Sequence, residues 1–213
     1  MNDQLTDLAE LQLQIESTDL IPSHRVLLDG LGDKMGSLRR ARVHSLADLR
    51  VRLKNKGKLE NLAKDSGIDA DYLMVLRRFV EGLFPKPRPL KAFDWIDKRL
   101  VTRLEAIGIK NTQKLYEALS SNQIPAQDSD FAKRDMEELA ALSDLSRIQW
   151  VSPVFARTLI AAGYDSAEKV SKANPQELYD ALSRANEEKR FYKGTVGLRD
   201  IKRLIAMAAL QRP

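Results

Sequence analysis

A segment near the start of the chain combines two glycines with a lysine, residue types that can bind a phosphate. Residues 28–34 read Leu-Asp-Gly-Leu-Gly-Asp-Lys, and we call this segment the glycine hairpin. Glycines let a backbone come close to a phosphate, and the first amides of a following helix donate hydrogen bonds to its oxygens. A simple turn between two helices uses the same residues, so both interpretations stay open. The residues expected to contact phosphate are Gly30, Leu31, Gly32, Lys34, Arg39 and Arg40.

The charge around the glycine hairpin favours an anionic partner. Residues 22–60 hold ten Lys and Arg against four Asp and Glu, a net charge of +6, whereas residues 1–21 hold five acids and no base. The whole chain has a net charge of +5 and an isoelectric point near 9.4. Basic blocks of this kind are compatible with binding to a polyanion. A solvated surface on which acids and bases alternate is the other explanation.

Other kinds of chemistry find little support in the sequence. Without cysteine, the chain has no disulfide, no thiolate nucleophile and no Cys-type zinc site. His24 and His44 are twenty residues apart, which argues against a His-based metal or acid–base site. No P-loop, dinucleotide fingerprint or Gly-x-Ser-x-Gly motif occurs. We therefore expect no catalytic residue, no metal, no cofactor and no enzymatic activity. One group of acidic residues has the residue types of a magnesium site, but a solvent-exposed helix start explains it better. These residues are Asp128, Asp130, Asp135, Glu137 and Glu138.

The elements that must position these residues are helices. Apolar residues recur every three or four positions, and runs of strict alternation are missing, which predicts many short helices and little sheet. Helix starts are marked by Ser45 with Asp48, by Asp165 with Glu168, and by Asn174 with Pro175. Two of the apolar stripes are Leu73, Leu76, Val80 and Leu83, and Leu198, Ile201, Leu204, Ile205 and Ala208.

The second half of the chain contains an internal repeat. Residues 95–115 align without a gap with residues 150–170, at an offset of 55, so that the chain's two tryptophans occupy the same position. Gly108 and Gly163 fall where the end of a helix needs a left-handed residue. A fainter third copy fits residues 38–49. Such a unit cannot bury its apolar face alone, so we expect the copies to stack.

Residues 139–182 resemble a bacterial family of unknown function built from tandem helix-hairpin-helix-like units, and the resemblance extends more weakly over most of residues 22–210. It implies an all-helical fold and no established activity. In the helix-hairpin-helix class, a hairpin with two glycines binds phosphate independently of base sequence. The matching residues are Asp144, Leu145, Arg147, Ile148, Pro153, Ala156, Leu159, Ala162, Gly163, Asn174, Pro175 and Leu178.

The later copies depart from that glycine pattern. Trp150 and Ser152 replace the glycines in the last copy, and Trp95 and Asp97 replace them in the middle copy. We interpret both tryptophans mainly as buried anchors between helices, with base stacking as the alternative.

Residues 189–193 read Lys-Arg-Phe-Tyr-Lys; their aromatics either pack under the core or stack on a nucleobase. We favour packing under the core.

Together these patterns predict an all-α chain of tandem stacked helix-hairpin-helix-like units, which are SAM-like helical bundles. The expected function is a non-enzymatic module that binds the phosphate backbone of nucleic acid with little sequence preference. A protein–protein interaction scaffold whose hairpins have lost phosphate binding is the alternative.

The first helix should dock through Leu8, Leu11 and Ile15 and turn its acids toward the basic block. With no secretory or membrane segment, we expect a cytoplasmic protein and no membrane partner. The expected divisions are an acidic helix (1–21), a first domain (22–83), a proline-rich linker (84–89) and a second domain (90–213).

Overall fold

Every regular element is a helix in residues 7–121, 123–124 and 133–211, the part of the chain that the computed structural model describes. The prediction of an all-α fold is therefore confirmed. Asp128, Asp130 and most of the polar loop around them lie outside the described residues. The chain divides into two compact units, the first ending at Phe84 and the second spanning Pro85–Gln211.

In the part that the structure describes, the first unit consists of five α-helices and one 3₁₀ helix. The 3₁₀ helix, Pro22–Leu28, precedes the glycine hairpin, and its Leu27 is fully buried. The first α-helix packs on the second and on the 3₁₀ helix, and the fifth packs on the third, the fourth and the 3₁₀ helix. The α-helices are α1 (Leu8–Ser17), α2 (Leu31–Arg40), α3 (Leu46–Leu53), α4 (Lys56–Ser66) and α5 (Ala70–Gly82).

The acidic first helix docks as its apolar stripe predicts. Leu8, Leu11 and Ile15 are all buried, and α1 packs against α2 and the 3₁₀ helix. Asp7 caps α1: its carboxylate accepts hydrogen bonds from the Ala9 and Glu10 amides at 2.7 and 2.9 Å. Apolar burial, about 25 cal/mol per Å², supplies most of the docking free energy, since exposed ion pairs contribute little.

Among the described residues of the second unit, the 3₁₀ helix Leu90–Ala92 is followed by seven α-helices, which are α6 (Lys98–Ala106), α7 (Thr112–Ser120), α8 (Lys133–Leu145), α9 (Pro153–Ala161), α10 (Ala167–Ser171), α11 (Pro175–Lys189) and α12 (Leu198–Ala208). Within it, α7 packs on α8, α8 on α9, α9 on α11, and both α10 and α11 on α12. No helix among the described residues is long and apolar enough to cross a membrane.

Helices recur at the offset of the sequence repeat. The bounds of α6 become those of α9 when 55 is added, and the starts of α7 and α10 differ by the same number. Gly108 and Gly163 both adopt left-handed backbone, with φ of 91° and 90°. Adding 66 to the start of α3 likewise gives the start of α7. At the corresponding position of the first unit, Arg42 holds the left-handed conformation with φ of 61°.

The starts of α3, α7 and α10 are each tied to a segment earlier in the chain. Asp7 forms an isolated bridge with Ser45 before α3, and Pro89 forms one with Asn111 before α7. Before α10 the connection is made by a side chain: the Asp144 carboxylate accepts a hydrogen bond from the Ala167 amide at 2.7 Å. We call these three connections the tethers.

Two local predictions are wrong. Ser166, not Asp165, caps α10 by accepting the Lys169 amide at 3.2 Å; the Asp165 carboxylate instead pairs with the Lys169 ammonium at 2.8 Å. Leu198, expected in the apolar stripe of α12, is 36% exposed, because it occupies the first position of the helix. The Ser45 and Asn174 caps are confirmed.

Candidate functional site

The glycine hairpin ends in a helix start that no side chain caps. Gly30 is the N-cap of α2 and has left-handed backbone, φ 57° and ψ 33°. The Lys34 amide makes the first backbone bond of the helix, to the Gly30 carbonyl at 3.1 Å. The amides of Leu31, Gly32 and Asp33 precede that bond and carry the positive end of the helix dipole. Leu31 is buried and Gly32 is exposed, so the backbone is accessible at Gly32.

The Lys34 side chain contacts both the glycine hairpin and Tyr72. Its ammonium donates to the Asp29 carbonyl and lies 4.3 Å from the centre of the Tyr72 ring. The Tyr72 hydroxyl donates to the Leu27 carbonyl at 2.9 Å. Burial, with a smaller contribution from the negative charge of Asp29, raises the pKa of Tyr72 to about 12. An ammonium has three donors, so Lys34 can hold the hairpin and still contact an anion.

Arg39 and Arg40 are not at the hairpin. Both lie in the last turn of α2, about 12 Å along the helix axis from its start at 1.5 Å per residue. Arg40 donates to the Ser37 hydroxyl at 2.9 Å, and both arginines are exposed. The structure therefore places only Lys34 beside the glycines, and the arginines form a separate basic group at the other end of α2.

Acidic and amide side chains border the hairpin as well. A Cβ added at Gly32 would lie 3.9 Å from Gln12 Nε2 on α1, and that nitrogen donates to the Glu16 carboxylate at 2.9 Å. Asp29 and Asp33 flank the glycines in sequence and are exposed. An anion at this helix start would face amides and one ammonium together with nearby carboxylates.

Trp95 is held by polar and aromatic partners in the second unit. Its Nε1 donates to a Glu138 carboxylate oxygen at 2.8 Å, and its ring meets Phe93 edge-on with centroids 5.7 Å apart. The Arg157 guanidinium lies 4.6 Å from the Trp95 centroid and 4.1 Å from that of Phe191. The half-buried Trp95 is thus a structural anchor, and Arg157 joins it to the segment 189–193.

Trp150 is not a buried anchor. Its side chain is 52% exposed, and its backbone is left-handed with φ of 69°. Ile148 and Val151 take the core positions on either side of it, with 0% and 4% exposure. Because these neighbours fill the core, the indole is directed toward solvent, and the sequence prediction is wrong for this residue.

Residues 189–193 follow the expected packing arrangement. Tyr192 packs on Phe155 with centroids 5.2 Å apart, and Phe191 packs on Arg157, while the three basic residues are exposed. The Asn186 side chain fixes this segment, since its amide donates to the Tyr192 carbonyl and its oxygen accepts the Tyr192 amide, at 2.8 and 2.9 Å. Tyr192 also lines a cleft of about 270 Å³ between α9, α11 and α12.

The Asp-Leu-x-Arg-Ile motif has a structural role that sequence reasoning did not find. Asp144 accepts the Ala167 amide and also a hydrogen bond from Arg147 Nη1, both at 2.7 Å. The Arg147 guanidinium lies 4.0 Å from the centre of the Tyr116 ring. One carboxylate therefore connects the end of α8 to the start of α10, while Arg147 covers a tyrosine of α7.

A family model described as a domain of unknown function, DUF4332, matches residues 95–211, more than half of the chain. The chain belongs to this family. It matches no curated protein and no solved structure. The DUF4332 match includes both tryptophans, the Asp144 tether and the cleft, whereas the glycine hairpin lies upstream of it.

Proposed function

We propose that the chain is a non-enzymatic module that binds the phosphate backbone of nucleic acid at the glycine hairpin. The observation that carries this proposal is the start of α2, where left-handed Gly30 supplies no side-chain cap. The uncapped amides of Leu31, Gly32 and Asp33 at this helix start support the proposal, because amides at helix starts can donate hydrogen bonds to anions. Contacts of this kind orient a nucleic acid without reading its bases.

Tandem helix-hairpin-helix-like units are part of the same proposal. The shared bounds of α6 and α9 and the repeated left-handed residues Arg42, Gly108 and Gly163 support it. The three tethers, each ending at the start of a helix, support it independently. In this arrangement only the first copy keeps glycines in its hairpin, and we assign phosphate contact to that copy.

The two ends of α2 contact different phosphates in this proposal. Lys34 and the amides serve one phosphate at the hairpin, and Arg39 and Arg40 serve another about 12 Å away. That distance corresponds to about three or four steps of 3.4 Å along a duplex strand. A backbone running along α2 would contact both groups.

Salt dependence and charge removal test the proposal. We expect random-sequence DNA to bind in fluorescence anisotropy at low salt, with affinity falling steeply as salt increases. Lys34→Ala and Arg39→Ala should each reduce the slope of log affinity against log salt by about one unit, for all sequences alike. Lys110→Ala removes an exposed lysine from the second unit and is the matched control, expected to change the slope by much less.

Gly32→Val tests the backbone contact without changing charge. The added side chain blocks approach to the amides, so affinity should fall while helical content is kept. Gly32→Ala is the companion variant, because alanine in place of helical glycine stabilises the free protein by up to about 1 kcal/mol. Weaker binding by a more stable protein identifies a contact rather than a folding defect. Failure to bind at tens of micromolar protein, or binding unaffected by Lys34→Ala, Arg39→Ala and Gly32→Val, would reject the site and leave the protein-interaction scaffold.

A further inference from the structure

The exposed indole of Trp150 sits on a backbone that ordinarily favours glycine. A left-handed conformation costs a residue with a side chain roughly 1–2 kcal/mol, and Trp150 adopts it with φ of 69°. Glycine at this position would remove the cost, and it is the residue that a phosphate-binding hairpin uses. A large ring at a strained, exposed position points to a role outside the fold.

The turn that carries the indole is rigid. Ile148, Gln149 and Val151 are all less than 9% exposed, and the Val151 amide donates to the Ile148 carbonyl at 3.3 Å. Immediately afterwards the Ser152 hydroxyl caps α9 by accepting the Phe155 amide at 3.2 Å. Both flanks of Trp150 are thus anchored, so its backbone has little conformational freedom left to lose on binding.

The two tryptophans of the repeat have diverged in the partners available to them. Trp95 Nε1 is satisfied by Glu138, whereas Trp150 has no hydrogen bond or ring contact among the described residues. Val154, 39% exposed, adds apolar surface at the start of α9. The Trp150 copy thus offers a free planar face and a free N–H donor, which the Trp95 copy does not.

The sequence immediately around Trp150 contains no acid that would repel an anionic partner. From Leu145 to Tyr164 the chain has no Asp or Glu, and its only charged residues are Arg147 and Arg157. Trp95, by contrast, has Asp94 one residue before it and Asp97 two residues after it. A flat aromatic surface in a segment without carboxylates suits a base attached to a phosphate backbone, because every nucleobase has a π-face and every nucleotide brings a negative charge.

We propose that Trp150 is a stacking platform for an unpaired base of single-stranded nucleic acid. This inference deepens the proposed function and rests on it, since the glycine hairpin is assigned the phosphate contact that any strand can make. Trp150 adds a contact that only an unstacked base can make, because bases in a duplex are covered by their neighbours. The last copy thereby distinguishes single strands from duplexes.

Binding of matched oligonucleotides to Trp150 variants tests the stacking role. Trp150→Gly suits the left-handed backbone, so it should fold at least as well as the parent chain while losing affinity for single-stranded oligothymidylate by about five- to a hundredfold. Trp150→Phe keeps a ring and should stay within a few fold of the parent. Duplex DNA should bind both variants as it binds the parent. An abasic strand of equal charge should bind the parent as weakly as the oligothymidylate binds Trp150→Gly.

A spectroscopic readout locates the contact directly. Only two tryptophans are present, so Trp95→Phe leaves Trp150 as the single indole reporter. Its fluorescence should be quenched by oligothymidylate and not by the abasic strand. If Trp95→Phe fails to fold, ¹⁹F resonances of 5-fluorotryptophan in the unaltered chain replace it, and one of the two signals should shift. No quenching and no shift on saturation would overturn the proposal.

The variants separate this inference from the proposed function. If Lys34→Ala weakens binding and Trp150→Gly does not, the glycine hairpin stands and the stacking role is overturned. If Trp150→Gly weakens binding of single strands and Lys34→Ala changes nothing, the stacking role stands without the hairpin. A Trp150 signal that responds to no oligonucleotide but shifts with a purified protein partner overturns the stacking role and assigns the indole to protein recognition.

Discussion

At the scale of single residues, three side chains occupy left-handed backbone among the described positions, and all three are exposed. They are Arg42, Trp150 and Arg190, with φ of 61°, 69° and 52°. Glycines hold the corresponding conformation at Gly108 and Gly163. Arg42 after α2 thus has the conformation that glycine holds after α6 and α9, which adds a charge to the basic block at a conformational cost.

Substitutions at Arg42 and Gly163 should change stability in opposite directions. Arg42→Gly relieves about 1–2 kcal/mol of strain and loses about 0.5–1 kcal/mol through the freedom of glycine in the unfolded chain, so a small stabilisation is expected. Gly163→Ala should destabilise by about 1 kcal/mol from the backbone alone, since an added Cβ meets nothing within 4 Å. Urea denaturation measures both changes. Destabilisation by Arg42→Gly would show that the arginine side chain supports the fold.

Tyr72 should make the stability of the first unit depend on pH in the alkaline range. Its pKa is raised from 10.0 to about 12 in the folded chain, so the folded state favours the protonated hydroxyl. The stabilisation of the folded state that follows from this raised pKa is complete below pH 10 and is lost as the pH rises toward and through 12. Tyr72→Phe should lower the free energy of unfolding by about 1–2 kcal/mol at pH 7. The difference between the two proteins should shrink from pH 10 upward, and a constant difference would contradict the assignment.

At the scale of elements, one carboxylate joins three helices. Asp144 accepts the Ala167 amide and the Arg147 guanidinium, and Arg147 packs on Tyr116 of α7. The Asp144 and Arg147 side chains are 20% and 21% exposed, so water competes weakly for these bonds. The short helix α10, five residues long, depends on such support because its own backbone bonds are few.

Asp144→Ala should therefore destabilise the second unit by about 1–3 kcal/mol, since it leaves the Ala167 amide without its acceptor and removes the carboxylate that pairs with the Arg147 guanidinium. Asp165→Ala removes an acid that pairs with Lys169 at the surface and should cost less than about 1 kcal/mol. Denaturant unfolding of the two variants gives the comparison. Equal effects would mean that the tether does not support α10.

The acidic helix α1 should weaken anion binding at the glycine hairpin. Glu16 is hydrogen-bonded to Gln12, which lies beside Gly32. Glu16→Gln removes one negative charge within about 7 Å of that position, where a unit charge in water is worth about 0.6 kcal/mol. Affinity for duplex DNA should rise by about threefold at low salt and return to the parent value at high salt. Unchanged affinity at every salt concentration would place the bound phosphate elsewhere.

At the scale of the whole molecule, each of the two units should fold by itself. Each has its own buried apolar residues and its own tether or tethers. Fragments 1–84 and 85–213, produced separately, should give helical circular dichroism spectra and cooperative thermal unfolding. A fragment that stays unfolded until the other is added would show that one unit needs the other.

The sequence predicts the elements of this molecule better than the surroundings of single side chains. The 3.6-residue period and the Ser45 and Asn174 caps are local signals, and the helices follow them. The exposure of Trp150 depends on neighbours filling the core and on one backbone angle, which residue type does not encode. Lys34, Arg39 and Arg40 are close in sequence, but an intervening helix places the arginines a full helix length from the glycines.

The three tethers have a consequence for how quickly the chain finds its fold. Pro89 and Asn111 are 22 positions apart, and Asp144 and Ala167 are 23, so in the second unit the contact that fixes each helix start closes a short loop. The entropy of closing a loop rises slowly with its length, and helical proteins rich in local contacts fold in microseconds to milliseconds. We expect the Pro89–Asn111 and Asp144–Ala167 contacts to form independently of each other, with the Asp7–Ser45 connection, which spans 38 positions, as the slowest to close.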